Sequence, residues 1–214
     1  RRSGTADFHK IYNHAAISGT KGHEAHTPAG KQQLGYLKVG DEILVKGPVM
    51  TNDQRQMLIG TMLGDGHTHK DGDTIRLEHS WGQKAFMLWK HSIISGLGAD
   101  WADSYKHVDA RTGITHKSCA TSLHLPYVTH WAREFFYSTG QKTVTPEWVS
   151  QIDELAFSVW ALDDGSFYWS PSKGKYCLEI ATCSFSAPET DLLIAHVASK
   201  FDIKFTRNIR GSLV

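Results

Sequence analysis

Two aspartates stand at the ends of predicted helices, and each is followed directly by a glycine. The two stretches read LIGTMLGDG (Leu58–Gly66) and FSVWALDDG (Phe157–Gly165). Small or apolar residues along both stretches predict close packing of the helices, and glycine lets the backbone turn sharply into a strand. Such packing would bring Asp65 and Asp164 together. Two close carboxylates repel each other and attract a cation such as Mg²⁺. A carboxylate pair with a divalent metal suits hydrolysis of a phosphodiester.

The elements around these two aspartates form an internal repeat. In the first half the patterns predict a helix from Asn52 to about Gly64, a hairpin, a helix, two strands and a helix. The second half restarts with a helix over 152–162, a hairpin over 166–184, a helix over 188–201 and a strand from Ile203. A repeat of this size predicts two copies of one fold that face each other.

Composition permits an ordinary globular protein and excludes several classes. The chain has 214 residues, is 40% hydrophobic and carries a net charge of +1. No run of about 18 apolar residues occurs, so no membrane span is predicted. The three cysteines are odd in number and irregularly spaced, which argues against a disulfide framework and indicates a reducing, intracellular compartment. The nearly balanced charge gives only weak support for nucleic-acid binding, because a basic groove depends on how charge is distributed.

The two Asp-Gly stretches resemble the signature motifs of the LAGLIDADG homing endonucleases. The stretch TGQKTVTPEWVSQIDELAFSVWALDDGSF (Thr139–Phe167) is similar to the monomeric, two-motif branch of that family, in which a basic element precedes a W-x-hydrophobic-Asp-Asp-Gly motif. The resemblance covers about residues 52 to 214. It implies an α+β fold of two pseudo-symmetric αββαββα repeats, the second incomplete, that form a saddle over double-stranded DNA. A small, mostly β or irregular segment precedes the repeats.

The resemblance also assigns residues to the site. One acid from each motif would bind Mg²⁺, with Mn²⁺ as a substitute, and by position these are Asp65 and Asp164. The preceding residues, Gly64 and Asp163, belong to the same candidate metal site, with Asp163 expected to be a neighbour rather than a ligand. The basic residue of the linker element matches Lys142, which would be catalytic. The matching lysine of the second repeat is not in this chain.

The strands are predicted to contact DNA. Alternation places Thr74, Arg76 and Glu78 on one face of a strand and Ile75 and Leu77 on the other. Arginine can pair with guanine and glutamate can accept from cytosine, so the polar face suits base contacts. Further base or phosphate contacts are predicted for five cationic residues: Lys117, Lys173, Lys175, Arg207 and Arg210.

Residues 17–46 carry a second resemblance. The stretch GTKGHEAHTPAG, followed by LGYLKVGDEILV, is similar to the late N-terminal half of an intein splicing domain. There the histidine of a Thr-x-x-His pair assists the first acyl shift, and this position is His23. The chain lacks the initial Cys or Ser nucleophile and the terminal His-Asn of that family, so splicing by this chain alone is not expected.

These patterns predict three parts: a segment over residues 1–50, a first repeat over 51–145 and a second repeat over 146–214. They favour a monomeric, Mg²⁺-dependent enzyme that makes a double-strand break in a long DNA target. Two alternatives stay open. One is a non-catalytic relative that binds DNA or acts as an intron-RNA maturase. The other is part of a self-splicing intein.

Overall fold

The N-terminal residues form a small antiparallel sheet. The computed structural model describes residues 8–11, 24–27, 29–38, 43–46, 49–69, 74–108, 112–138, 140–172 and 174–214. The sheet has the order β1-β4-β2-β3 and consists of β1 (Phe8–Ile11), β2 (Glu24–Thr27), β3 (Gly30–Gln33) and β4 (Ile43–Lys46). The predicted β-rich segment therefore exists, and β1 lies against a helix of the first repeat. His23 and Lys173 lie outside the described residues.

The first repeat has the predicted order of helices and strands. Its first helix begins with a capping box, in which Thr51 and Gln54 exchange side-chain and backbone hydrogen bonds. Four antiparallel strands follow in the spatial order β5-β6-β8-β7. The elements are α1 (Asn52–Leu63), β5 (His67–Thr68), β6 (Ile75–Ser80), α2 (Lys84–Ile94), β7 (Ala99–Val108), β8 (Thr115–Leu123) and α3 (Pro126–Phe136).

A linker leads to the second repeat, and it contains one helical turn and a hairpin whose two strands have two residues each. The linker elements are β9 (Tyr137–Ser138), β10 (Gln141–Lys142) and α4 (Pro146–Val149). The second repeat consists of α5 (Glu154–Asp164), β11 (Gly165–Ser170), β12 (Lys175–Ile180) and α6 (Ala187–Phe201). Helix, hairpin and helix thus recur in the same order, as the sequence predicts.

The strand predicted from Ile203 is wrong. Residues 202–206 form no strand, and Arg207 and Ile180 make only isolated bridges to Leu213. The backbone of Asp202 takes a left-handed conformation with a φ of 55° after α6. The Asn208 side chain then accepts hydrogen bonds from the backbone N–H groups of Arg210 and Ser212. This turn reverses the chain before a ladder can extend.

The two motif helices, α1 and α5, pack side by side in the same direction through the centre of the protein. The Gln56 amide ties their N-terminal ends together, since it donates to the Gln151 carbonyl over 2.8 Å and accepts from the Asp153 N–H over 3.0 Å. Midway along the contact, a Cβ on Gly60 would overlap the Ala156 carbonyl oxygen and lie 2.7 Å from the Val159 Cβ. Glycine is therefore required here, and the C-terminal ends of both helices meet. Across the described residues, no helix has the length and apolar character needed to cross a membrane.

Candidate metal-binding and catalytic site

The two Asp-Gly pairs lie where α1 and α5 end. Asp65 follows Gly64, the C-terminal cap of α1, and Asp164 is the last residue of α5. At this end the helices approach so closely that a Cβ on Gly64 would lie 2.5 Å from the Cβ of Asp163. The glycine after each aspartate is also required by space, because a Cβ on Gly165 would overlap the Ala161 carbonyl oxygen. The packing of α1 against α5 thus fixes the backbone positions of Asp65 and Asp164.

The pKa values of the Asp65 and Asp164 carboxyl groups are both raised. Burial, followed by the charges of Asp65 and Asp163, raises the pKa of Asp164 to about 6. Burial and the charge of Asp163 also raise the pKa of Asp65. Groups that resist ionisation in this way attract a cation, and a pair of partly exposed carboxylates suits a hydrated divalent ion. The donor set therefore fits the Mg²⁺ or Mn²⁺ that the sequence predicts.

The predicted catalytic lysine lies beside the same two acids. The Lys142 ammonium, on β10, donates a 2.8 Å hydrogen bond to the Gly64 carbonyl oxygen. Burial lowers the pKa of Lys142 to about 8, while the charges of Asp164 and Asp65 oppose that shift. A positive charge is thus held at the end of α1, within electrostatic reach of both carboxylates.

Asp163 is fully buried and has a partner that the sequence reasoning missed. One of its carboxylate oxygens lies 2.5 Å from the ammonium of Lys90, whose side chain is also fully buried. The same ammonium lies 3.0 Å from Nε2 of His79, and Nδ1 of that ring lies 3.4 Å from the Asp65 carboxylate. Asp163 is thus engaged with Lys90, and its role as a neighbour of the metal site stays a prediction.

Two signals in the sequence pointed to Lys90 and His79. Met87 and Ile94 form the buried stripe of α2, and Lys90 lies on the same stripe. His79 continues the buried alternation of Ile75 and Leu77 on β6. A charged or polar residue on a buried face needs a partner, so each position indicated a buried polar cluster.

A second group of atoms could also hold a cation. Asp65, His79 and Asp163 each offer one ligand atom, and these atoms lie within 4.8 Å of one another. The Lys90 ammonium, however, already contacts both Asp163 and His79. This built-in cation therefore occupies the inner side of the group.

Comparison with known proteins places the chain in a family. Residues 55–213 match the model of the LAGLIDADG DNA endonuclease family. The protein belongs to this family. A solved structure with a similar fold is the homing endonuclease I-WcaI bound to its DNA recognition sequence. The two share 19% sequence identity and a TM-score of 0.64 over 78% of this chain and 76% of that one. At that identity the likeness shows a shared LAGLIDADG fold, which confirms the predicted α+β architecture.

The relatives in sequence belong to two different kinds of protein. The RecA protein of Mycobacterium shimoidei is 28% identical over 157 residues, which cover 71% of this chain and 35% of that protein. The chain therefore spans about a third of the length of the RecA proteins it matches. The cytochrome b mRNA maturase bI2 of Debaryomyces hansenii is 24% identical over 198 residues, which cover 84% of this chain and 71% of that protein. The intein-like prediction for residues 17–46 stays a prediction.

Within this LAGLIDADG fold, the polar face predicted on β6 exists. Ile75 and Leu77 are buried, whereas Arg76 and Glu78 are half-buried and lie 3.4 Å apart. Thr74 shares a 2.9 Å hydrogen bond with His124, a residue that the sequence reasoning did not single out. The strand therefore presents a short, internally paired row of polar side chains.

The other predicted DNA-contact residues that the structure describes lie outside β6. On β8, Lys117 alternates onto the same side as Cys119 and Thr121, which is the side of the sheet opposite Arg76. The Lys117 ammonium lies 3.6 Å from the centre of the Trp81 ring. Arg207 donates to the Ala187 carbonyl over 2.8 Å on α6. Lys175, at the start of β12, and Arg210, in the turn before Leu213, are exposed.

Proposed function

We propose that this protein is a site-specific homing endonuclease that makes a metal-dependent double-strand break in a long DNA target. One observation carries the proposal. The packed ends of α1 and α5 hold one carboxylate from each motif, and the pKa of each is raised by burial and by a neighbouring acid. A protein that only bound DNA would gain nothing from two partly exposed acids placed close together beside a polyanion.

Asp65 and Asp164 would hold Mg²⁺, or Mn²⁺ in its place, with the backbone of Gly64 at the same site and Asp163 held aside by Lys90. When bound, such an ion supplies neutralisation of charge on the scissile phosphate and acidifies water. Lys142 would stabilise the charge that develops on the phosphate, because its buried ammonium lies beside both acids. The protein's own residues would thus position the metal ion with two negative carboxylates and place a positive ammonium group beside them.

The DNA would lie across the polar faces of the two repeats. Arg76 and Glu78 suit base edges in the major groove, and Thr74 can add a hydroxyl contact. Phosphate contacts would come from Lys117, Lys173, Lys175, Arg207 and Arg210, with Lys117 reaching from the edge of its row. Both motifs reside in one chain, so a monomer would suffice. The three cysteines are free thiols, which suits a reducing compartment inside a cell.

Cleavage-site selection tests this function. A random duplex library is incubated with the protein and Mg²⁺, and cut ends are sequenced. We expect one long consensus site with double-strand breaks that vanish when EDTA replaces Mg²⁺. Cutting that persists undiminished in excess EDTA would contradict the metal role, and the absence of any enriched site would contradict sequence-specific cleavage.

A second candidate function is that of an intron-RNA maturase, favoured by the similarity to the Debaryomyces hansenii maturase over 84% of the chain. The two functions differ in the use of the acids. A maturase would bind a structured intron RNA as tightly as duplex DNA, and Asn at positions 65 and 164 would leave RNA binding and splicing assistance intact. Metal-dependent cutting of the selected duplex, lost in those variants, favours the endonuclease.

A further inference from the structure

A buried chain of polar groups connects the second motif to the first motif's acid. It begins at Asp163 on α5, passes through the Lys90 ammonium on α2 over 2.5 Å, and reaches Nε2 of His79 on β6 over 3.0 Å. It ends at Asp65, whose carboxylate lies 3.4 Å from Nδ1 of His79. Lys90 is enclosed further by the Phe86 ring, 4.7 Å from its ammonium. The fully buried Lys90 therefore links α2 to α5 and β6, and His79 extends the chain of groups to the end of α1.

The hydrogen-bond chemistry gives this chain of groups a direction. An ammonium group only donates, so a charged Lys90 requires Nε2 of a neutral His79 to accept over 3.0 Å. Asp163 also lies 3.4 Å from Nε2, and its carboxylate is held by the same ammonium. The neutral ring then carries its proton on Nδ1, the atom that lies 3.4 Å from the Asp65 carboxylate. Lys90 thereby favours one tautomer of His79.

Stability alone does not account for this arrangement. A buried ion pair pays a desolvation penalty, and apolar side chains of similar volume are often as stabilising. Lys90 also lies on a stripe otherwise made of Met87 and Ile94, where an apolar side chain would pack without a partner. A lysine here needs another reason, and the orientation of His79 supplies one.

The second repeat has no such chain of groups among the residues that the structure describes. When β12 is aligned with β6 by strand pairing, Thr182 takes the place of His79, and Leu193 follows at the same separation of 11 residues as Lys90. Leu193 is fully buried. Gly64 occupies the position in the first motif that Asp163 occupies in the second. At the positions that correspond to His79 and Lys90, the second repeat therefore supplies Asp164 with neither a histidine nor a lysine.

We infer that Lys90, His79 and Asp163 are positioning residues that orient the Asp65 carboxylate for its metal ion and have no counterpart in the second repeat, so that the two acids act unequally. This inference rests on the proposed endonuclease function for its role in cleavage. The orientation of His79 and the metal affinity of Asp65 can be measured without any cleavage.

The test separates positioning from stability with a paired substitution. Lys90→Met strands Asp163 in the interior and is expected to unfold part of the protein. Lys90→Met with Asp163→Leu replaces the whole pair by apolar side chains of similar shape, which should restore the wild-type melting temperature. Lys84→Met is the matched control. Lys84 lies on the same helix and loses a 2.8 Å ion pair with Asp103 outside the chain of groups.

Three readouts are taken on each protein: the melting temperature, the tautomer of His79 from ¹⁵N NMR, and the affinity of the DNA-free protein for Mn²⁺. We expect wild type and Lys84→Met to carry the His79 proton on Nδ1. The double variant should lose that preference and bind Mn²⁺ roughly tenfold more weakly, the size of effect that outer partners of metal ligands have. On a selected duplex, it should cut one strand more slowly than the other.

Two results would overturn the inference. One is a double variant that folds like wild type and binds Mn²⁺ equally well, since the pair would then be structural only. The other is a wild-type His79 that carries its proton on Nε2. A wild-type protein that cuts no duplex, while the double variant still loses Mn²⁺ affinity, would sink the endonuclease proposal and leave the positioning role standing.

Discussion

The two repeats share a backbone and differ in the chemistry they attach to it. Each places a carboxylate at the end of a packed helix and continues into an antiparallel hairpin. The first hairpin exposes a charged row with Arg76 and Glu78. The second exposes a cluster of aromatic rings instead: Phe167, Trp169 and Tyr176. Two halves in one chain can diverge in this way, whereas identical subunits cannot. A recognition site without symmetry is the expected consequence.

The two repeats also differ where their helices, α1 and α5, pack against each other. With the Asp-Gly pairs aligned, Gly60 of the first motif corresponds to Val159 of the second, and Gly64 corresponds to Asp163. In both cases the glycine lies against its counterpart's Cβ, so one helix supplies the space that the other fills. Close approach of the two acids thus depends on motifs that are complementary rather than equal. The predictions below separate what the repeats share from what distinguishes them.

The largest effect is expected at the shared acids. Asp65→Asn and Asp164→Asn should each abolish double-strand cleavage, a loss of several kcal/mol or roughly 10³-fold in rate. DNA affinity without metal should hold or rise, because each substitution removes a negative charge beside a polyanion. Cleavage rates and salt-dependent binding on one selected duplex measure both. An active Asp164→Asn beside an inactive Asp163→Asn would shift the second-motif ligand by one residue.

Lys142 lies in the linker between the repeats. Among the linker residues that the structure describes, it is the basic residue beside both Asp65 and Asp164. Lys142→Met should slow cleavage roughly 10²-fold, the usual loss when a group that stabilises developing charge is removed. Binding of the duplex should change little. Rates and dissociation constants for the variant and wild type provide the measurement. Equal losses in rate and in affinity would instead make Lys142 an ordinary phosphate contact.

The helix contact predicts an asymmetric pair of stability effects. Gly60→Ala should destabilise by about 3 kcal/mol, because its Cβ would overlap the Ala156 backbone, which cannot move aside. Val159→Ala, at the corresponding position of the second helix, should cost only about 1–2 kcal/mol as a small cavity. Denaturant unfolding of both variants gives the comparison. Equal effects would mean that the helices are interchangeable at this level.

The smallest effect concerns the metal-free protein. The folded state holds the Asp164 proton more tightly than the unfolded chain, since its pKa is raised from 3.8 to about 6. Stability from this group therefore falls as pH rises through that window. At pH 7 in EDTA, Asp164→Asn should be more stable than wild type by about 1 kcal/mol, discounted for partial exposure. The gain should vanish below the unfolded pKa.

Asp65→Asn provides the contrast for that measurement. Its pKa is also raised, but the neighbouring His79 ring and the Lys90 ammonium oppose the shift. We expect a smaller gain in melting temperature than for Asp164→Asn. An equal gain in both variants would show that His79 and Lys90 do not hold down the pKa of Asp65.

The sequence predicted the parts of the site that depend on local pattern. The Asp-Gly helix ends, the repeat order and the alternation of β6 all follow from spacing, and the structure has them. Lys90 was missed, because the apolar spacing of α2 also fits a buried face with Leu88 and Trp89, and a lysine is ordinarily assigned to the surface. Leu88 and Trp89 are instead partly exposed. Which stripe of α2 is buried depends on how the helix rotates against Asp163, a contact distant in the chain.

The placement of Lys117 shows the same limit. A lysine on a predicted strand faces one of two sides, and the side depends on register with the neighbouring strands. Here β6 pairs with β8 so that Arg76 lies opposite Ser122, which puts Lys117 on the other row. An irregularity between Ala102 and Tyr105 on β7 shifts the register of the next pair as well. Register comes from tertiary packing and leaves no mark in a single sequence.

The location of the metal ion tests the central claim most directly. Crystals of the protein with its selected duplex are grown with Mn²⁺, and the ion is located by its anomalous scattering. We predict density bonded at about 2.1 Å to carboxylate oxygens of Asp65 and Asp164. Lys90 should still contact Asp163. Density held by Asp65, His79 and Asp163, with the Lys90 ammonium displaced, would contradict both the paired-acid site and the positioning role.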